Sequence, residues 1–145
     1  MAIIGFNFTQ VIAEREKPAT GKIEINTNIT ILDLAEQDLN LKEGKQKAIK
    51  FVFQFSTNYS PDIGRIVIKG EVVNLFDAKT ADEVLKEFKK DKKVKKEILP
   101  GLYSFVLGKC HVEAIAISRD VSLPPPLPMP RVKAKETEAQ EDYIG

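Results

Sequence analysis

The feature that most constrains the fold is an apolar segment late in the chain, residues 102–117. Pro100 stands just before it, where the first turn of a helix accepts proline, so the pattern predicts a long helix. A helix that is apolar nearly all round exposes a large patch if it packs on one sheet alone. We therefore expect the rest of its surface to be covered by self-association or by a ligand. The segment's apolar residues are Leu102, Tyr103, Phe105, Val106, Leu107, Cys110, Val112, Ala114, Ile115 and Ile117.

Four strands are predicted ahead of this helix. In residues 22–32 isoleucines alternate with polar residues, and in residues 48–59 an aromatic ladder follows the same period of two. Residues 4–12 and 65–76 are further candidates, the last broken by Gly70, which indicates a bulge or a close backbone approach. Strands in unbroken succession predict an α+β fold, in which a four-stranded antiparallel meander carries the long apolar helix.

A second, charged helix is predicted between the strands and the apolar helix. Thr80 and Glu83 have the spacing of a capping box, which predicts that this helix begins at Thr80. Its apolar stripe is narrow and lysines crowd residues 86–96, so we expect a peripheral position. The cluster from Lys86 to Lys96 has two interpretations: a solvated face, which we favour, or a surface that grips the phosphates of a nucleic acid.

The last part of the sequence is unsuited to helix. Residues 123–130 alternate proline with apolar residues, which predicts an extended polyproline II segment. Such a segment either straps onto the protein's own surface, the interpretation we favour, or serves as a ligand for the aromatic groove of another domain. We expect a single domain over residues 1–131 and a charged, disordered tail over residues 132–145.

Composition narrows the function classes. The 145 residues carry 22 Lys and Arg against 21 Asp and Glu, so no overall charge attracts nucleic acid or anionic membrane. One cysteine and one histidine exclude an internal disulfide and make a metal site improbable, and we expect no cofactor. The start of the sequence has no pattern of a secretory signal, and no apolar run is long enough to span a bilayer, so we expect a cytoplasmic protein.

Cys110 and His111 are the one pair that brings nucleophilic catalysis to mind. Adjacent residues of a helix point about 100° apart, so the two side chains do not face each other. We favour the interpretation that the cysteine packs in the core and that the histidine has its hydrogen bonds satisfied. No nucleophile, base and orienting group are close together in the sequence, so we expect a binding protein and not an enzyme.

The ends of the long helix resemble those of the SecB family of export chaperones. Leu99-Pro100-Gly101-Leu102-Tyr103 looks like that family's proline-opened helix. Ile117-Ser118-Arg119, followed by Leu123-Pro124, is similar to the exit from it. The order of elements is also similar, and the resemblance covers about 120 residues at the level of pattern. The lysine-rich helix has no counterpart in the family.

The resemblance implies a homotetramer, a dimer of dimers whose sheets face outward and whose long helices pack at the centre. It also implies an ATP-independent holdase that binds non-native polypeptides in apolar grooves, in some members for transfer to an export motor. Alternatives from other classes are a nucleic-acid-associated protein using the Lys86–Lys96 cluster and a structural subunit of a hetero-complex. Candidate groove residues are Phe6, Phe8, Tyr103, Phe105, Leu123, Leu127 and Met129. Candidate residues of an oligomer interface are Leu102, Val106, Cys110 and Ile117.

Overall fold

The computed structural model describes residues 2–38 and 46–126, which form a four-stranded antiparallel sheet and two helices in an α+β fold. The predicted positions 39–45, Leu127 and Met129, the domain boundary at 131 and the tail lie outside the described residues. The elements in chain order are β1 (Ala2–Arg15), β2 (Glu24–Gln37), β3 (Gln46–Ser60), β4 (Gly64–Asp77), α1 (Ala78–Asp91) and α2 (Leu99–Asp120).

The strand order is β1-β4-β3-β2, so the predicted meander holds only for β2, β3 and β4. β1 lies beside β4, which it pairs from Ala2↔Leu75 to Arg15↔Gly64. This is the strand order of a Greek key, in which one strand joins the far edge of a three-stranded meander. Alternation along a strand reports which face is buried and carries no information on which neighbour it pairs with. The order leaves β1 and β2 as the two edges of the sheet.

One face of the sheet carries the core and both helices. The aromatic ladder of β3, with Phe51, Phe53 and Phe55, is fully buried there, as the period of two predicted. β4 contributes Ile66, Ile68 and Val72 to the same face by direct pairing with β3. The opposite, open face bears polar and charged side chains, including the ion pairs Lys50–Glu71 and Arg65–Glu14. The core of the subunit therefore lies between the sheet and the two helices, on the helix-covered face.

Gly70 is a point of close approach, as expected from its position in a strand. It lies between Phe8 of β1 and Phe53 of β3 on the helix-covered face. A Cβ atom at this position would lie 2.6 Å from Cζ of Phe53 and 2.5 Å from the backbone oxygen of Asn7. Because Gly70 has no side chain, the Phe53 ring can lie against its backbone. Phe6 stacks on the Phe53 ring, with the ring centroids 5.5 Å apart.

α1 begins three residues earlier than the capping box predicted. Asp77, not Thr80, is the N-cap: its side chain accepts hydrogen bonds from the amide and the hydroxyl of Thr80. These hydrogen bonds lower the pKa of Asp77, because they favour the ionised carboxylate. The Asp77 side chain thus accepts a hydrogen bond from a free backbone amide in the first turn of the helix, as the threonine of a Thr-x-x-Glu box would. α1 packs against β2, β3 and β4 through Ala81, Val84 and Phe88 and leaves most of its lysines in solvent.

α2 turns one line of residues toward the sheet, at a spacing of four. Leu102, Val106, Cys110, Ala114 and Ser118 make up this line, and each is buried. Three of the residues expected at an oligomer interface therefore lie in the wrong place. Leu102, Val106 and Cys110 are fully buried within their own subunit and offer no surface to a partner, while Ile117 is half-buried beside them.

The segment after α2 straps onto the protein's own surface over its described part, residues 121–126, as favoured from the sequence. The Tyr59 hydroxyl donates to the carbonyl of Pro124 at 2.6 Å, and Nε of Arg15 donates to the carbonyl of Val121 at 2.9 Å. Leu123 is 5% exposed and belongs to the core. The strap thus fixes the end of α2 to β1 and β3.

Asn74 is a polar residue within the core. It is fully buried on the helix-covered face of β4, and among the described residues neither its amide nitrogen nor its oxygen has a hydrogen-bond partner. An unsatisfied buried amide costs about 1–3 kcal/mol. We expect Asn74→Leu, whose side chain has the same branching and the same number of non-hydrogen atoms, to raise the free energy of unfolding by about 1 kcal/mol in urea denaturation. A lower free energy of unfolding would contradict this account of Asn74.

No helix in the described ranges is long and apolar enough to cross a membrane.

Candidate functional site

The long helix divides the helix-covered face into two sides. Its line of buried residues packs on β4. On one flank Phe105 contacts Phe6 of β1, and on the other His111 contacts Phe55 of β3, both edge to face. α2 is one helix wide and the sheet is four strands wide, so it does not close over the edge strands. Apolar side chains along β1 and β2 are left half-buried on either side of it.

The β1-side strip, defined by Phe6, Phe8 and Phe105, is aromatic. Phe6 contacts Phe8 edge to face with centroids 5.2 Å apart, and contacts Phe105 in the same manner at 5.5 Å. All three rings are half-buried, and Nζ of Lys109 lies 5.7 Å from the centre of the Phe105 ring. Three of the predicted groove residues are thus brought together, with one face of the cluster on the core and another toward solvent.

The β2-side strip, defined by Ile25, Ile29 and Ile31, is aliphatic. The three isoleucines are half-buried and pair across the sheet with Tyr59, Phe55 and Phe53. The flank of α2 above them carries Leu107, His111 and Ile115, which are also half-buried. Sequence reasoning had not included these isoleucines in the groove. The signal that could have found them is their alternation, which shows that one face of β2 is apolar.

Each strip lies next to an edge strand. Among the described residues no strand pairs with the outer side of β1 or of β2, so their backbone amides and carbonyls there are open to another chain. β1 has no charged residue from Ala2 to Ala13, whereas β2 carries Glu24, Asp33 and Glu36. An uncharged edge is the better template for an added strand, because charged side chains commonly block such pairing.

The other predicted groove residues are placed differently. Tyr103 is exposed on the β2-side flank of α2, away from the aromatic cluster. Leu123 is buried in the subunit's own core, where it anchors the strap.

A mainly apolar depression of about 580 Å³ lies between the last turns of α2 and the strap. It is lined by Val112, Ile115, Ala116, Ser118, Arg119, Ser122, Leu123 and Pro125.

Cys110 and His111 occupy different faces of α2. Cys110 is in the buried line, and burial raises the pKa of its thiol to about 12, which keeps the sulfur protonated at neutral pH. His111 is half-buried on the flank, against the ring of Phe55. The cysteine is a packing residue, as favoured from the sequence. Within residues 2–38 and 46–126 no cluster of three His, Cys, Asp or Glu side chains is arranged to hold a metal.

The lysine cluster is partly engaged within the subunit. Nζ of Lys95 lies 2.6 Å from a carboxylate oxygen of Glu83, and that hydrogen bond raises the pKa of Lys95 and lowers the pKa of Glu83. Lys92 lies over the ring of Phe88, which is itself buried in the core. Phe88 therefore offers no base-stacking platform beside these lysines. Nucleic-acid binding by this helix stays a prediction from its charge alone.

Tyr59 links the strap to the core, and its titration gives a measurable pH dependence. Burial raises its pKa to about 12, because the ionised phenolate is poorly solvated there. In the unfolded chain the phenol titrates near its usual pKa of about 10. The stabilisation from keeping Tyr59 neutral is therefore complete below pH 10 and is lost as the pH rises from 10 to 12.

We expect Tyr59→Phe to lower the free energy of unfolding by about 1 kcal/mol at pH 8, because the hydrogen bond to the strap is lost. Urea denaturation from pH 8 to 11.5 should then show a shallower decline above pH 10 for the variant than for the wild type. Parallel curves for the two proteins would contradict the assignment of this titration to Tyr59.

Comparison with known proteins gives a likeness at the level of the fold. No family model matches the sequence, and no curated protein matches it significantly. A solved structure, Mycobacterium tuberculosis Rv1957, a SecB-like chaperone in complex with a ChAD peptide from the Rv1956 HigA1 antitoxin, matches 90% of this chain and 88% of its own. The TM-score is 0.52 and the sequence identity is 9%. The fold is similar to that of a SecB-like chaperone. The likeness is one of fold.

The SecB-like fold agrees with the family resemblance found in the sequence. That resemblance was based on the order of the elements, with the two ends of α2 as its best local match. Both ends are as expected: proline lies in the first turn, and Leu123 and Pro124 leave the helix as an extended strap. Leu123 donates its amide to the carbonyl of Ser118 at 2.9 Å, which ends the helix where the pattern predicted.

Proposed function

We propose that this protein binds extended, apolar segments of non-native polypeptides without ATP, as a SecB-like holdase. The observation that supports the proposal is the pair of apolar strips beside α2, each half-buried and each next to an open strand edge. The side chains of both strips pack against the core on one side and keep part of their surface exposed. The solved neighbour of similar fold is a chaperone in complex with a peptide.

The strips suit reversible, sequence-tolerant binding. Full burial of one Phe, Leu or Ile side chain contributes about 1.5–3 kcal/mol. Three or four client side chains on a strip therefore contribute several kcal/mol, and the conformational entropy lost by the client offsets part of this. The net affinity is modest. The strips consist of aromatic and aliphatic side chains, whose attraction to apolar groups is non-directional, so many apolar client sequences are acceptable.

Edge-strand pairing supplies a part of the affinity that does not depend on client sequence. An extended client placed along β1 can exchange backbone hydrogen bonds with it, and its alternate side chains then face the aromatic strip. Most backbone groups of a folded protein are already paired within its own helices and sheets, so few of them are available to pair in this way. The same two features that give affinity for unfolded chains therefore discriminate against native ones.

The finer parts of the family resemblance belong to the same proposal. We propose that the protein acts in the cytoplasm as a homo-oligomer, with a homotetramer as the assembly that the resemblance implies. Transfer of clients to an export motor also stays a prediction of the resemblance.

Suppression of aggregation tests the proposal. Thermally denatured citrate synthase should scatter much less light when this protein is present at an equimolar ratio of subunits, and ATP should make no difference. Lysozyme at the same concentration controls for crowding by an unrelated protein. Scattering equal to that with lysozyme would contradict the holdase function.

A further inference from the structure

Thr27 interrupts the β2-side strip. It lies between Ile25 and Ile29 on the helix-covered face of β2, where it pairs directly with Thr57 of β3, which is fully buried. The flanking isoleucines are half-buried, whereas Thr27 is exposed. The strip therefore presents a hydroxyl to solvent at one position between apolar side chains.

The hydroxyls of Thr27 and Thr57 form a hydrogen-bonded pair. Their oxygens lie 3.1 Å apart, and either one can be the donor. A hydroxyl has one proton to donate and two lone pairs that accept, so a single mutual hydrogen bond leaves part of this capacity unused. Since Thr57 is fully buried and Thr27 is exposed, the unused capacity is open to an incoming chain at Thr27. The pair also stabilises the sheet, as cross-strand threonines do.

An apolar client side chain is unfavourable against Thr27. It covers the exposed hydroxyl without offering it a hydrogen bond, and a polar group that loses water in this way carries the cost of its desolvation. The hydroxyl of a client serine or threonine both donates and accepts, so it fits whichever threonine of the pair is the donor. Threonine also suits an extended chain, because it is enriched in strands.

We propose that the β2-side strip selects clients in which a serine or threonine lies between two apolar residues, in the pattern apolar-x-Ser/Thr-x-apolar. Alternate residues of an extended chain point to the same side. A client strand along the outer edge of β2 therefore places its hydroxyl beside Thr27 when its two apolar residues lie beside Ile25 and Ile29. The inference rests on the proposed holdase function and specifies the clients of one of the two strips.

The stretch of β2 that carries this pattern is uncharged. Residues 25–31 contain only isoleucine, asparagine and threonine, and the nearest acids, Glu24 and Asp33, lie on either side of the stretch. Charged side chains commonly block pairing at the edge of a sheet. A client strand can therefore pair with β2 over the length that the pattern requires.

The β1-side strip has a different character. On β1 the side chains of the helix-covered face, Ile3, Phe6, Phe8, Val11 and Ala13, are all apolar. A client along β1 meets no hydroxyl among these five residues, so an unbroken alternation of apolar side chains is acceptable there. The two strips therefore differ in the clients that they accept.

Two labelled peptides test the inference. One has the core Leu-Asn-Leu-Asn-Thr-Asn-Leu-Asn-Leu, which reads the same in both directions and so matches β2 whichever way the client runs. The other has valine in place of the threonine, which exchanges the hydroxyl for a methyl group and keeps the branching. Fluorescence anisotropy gives the Kd of each peptide. The wild type should bind the threonine peptide more tightly than the valine peptide.

Thr27→Val combined with Thr57→Val removes the selection and leaves the fold intact. Replacing both partners of a hydrogen bond by apolar groups of the same shape is nearly neutral for stability, which the melting temperature checks. The preference for the threonine peptide should fall at least about 5-fold in this double variant, because no hydroxyl of the strip is then covered by the valine peptide.

Thr30→Val is the matched control. It makes the same chemical change on the opposite face of β2, where Thr30 pairs with Gln54. The preference for the threonine peptide should stay within about twofold of the wild type, because the changed side chain does not face the strip.

The outcomes distinguish this inference from the holdase function. A preference for the threonine peptide that is lost in the double variant and kept in Thr30→Val supports the inference. Equal preference in the wild type and the double variant, or tighter binding of the valine peptide by the wild type, would overturn it and leave the holdase function standing. Absence of binding for both peptides and for a permanently unfolded protein would overturn both.

Discussion

Leu102→Ala is expected to lower the free energy of unfolding by about 3 kcal/mol. Leu102 is fully buried beneath α2, on the face of the helix that packs against the sheet. Removing a buried leucine side chain loses its transfer free energy and leaves a cavity, which together cost 2–5 kcal/mol. Urea denaturation followed by circular dichroism measures the change.

Leu32→Ala is the matched control, because it makes the same chemical change where the side chain is 45% exposed. We expect it to cost less than about 1 kcal/mol. The comparison of the two variants decides between two positions of Leu102: inside its own subunit, as the structure shows, or at an oligomer interface, as the sequence led us to expect. A Leu102→Ala variant with near-normal stability as a monomer and weakened association would contradict the structure.

The double variant Phe8→Ser and Ile29→Ser is expected to weaken binding of an unfolded client at least about 10-fold. It removes one apolar side chain from each strip. Loss of about 1.5–3 kcal/mol per buried side chain corresponds to roughly a factor of ten or more for each. Both residues are half-buried, so the fold should survive, which the melting temperature checks. Fluorescence anisotropy with a labelled, permanently unfolded protein gives the Kd.

The control for this variant is Ile12→Ser with Val67→Ser on the open face of the sheet. These two residues pair across β1 and β4 and are also half-buried, so the loss of apolar surface is comparable. We expect the Kd of the control to remain within about twofold of the wild type. Equal weakening by the two double variants would mean that clients do not use the strips.

The sequence contained enough information for the fold class, because each element has its own local signal. The strands were found from the alternation of Ile25, Ile29 and Ile31 and from the ladder of Phe51, Phe53 and Phe55. The position of β1 beside β4 was missed, since strand neighbours depend on contacts distant in sequence. The start of α1 was misplaced because Asp77 and Thr80 are both good caps, and only the path of the chain decides between them.

The site was predicted only in part, for a related reason. A helix that is apolar on most sides carries a weak periodic signal, so the sequence could not show which line of α2 packs inward. Leu102, Val106 and Cys110 were therefore expected at an oligomer interface, although they lie on the buried line of the helix. Phe6, Phe8 and Phe105 were recognised as a group by composition, but their contact with one another depends on the pairing of β1 with β4.

Binding of one polypeptide in its unfolded and native states tests the central claim most directly. Reduced, carboxymethylated α-lactalbumin is permanently unfolded, and native α-lactalbumin has the same sequence with its backbone groups satisfied. Isothermal titration calorimetry at several temperatures should show binding of the unfolded form with a negative heat-capacity change, the sign of apolar burial. The native form should not bind. Equal affinity for both forms, or no affinity for the unfolded one, would contradict the account.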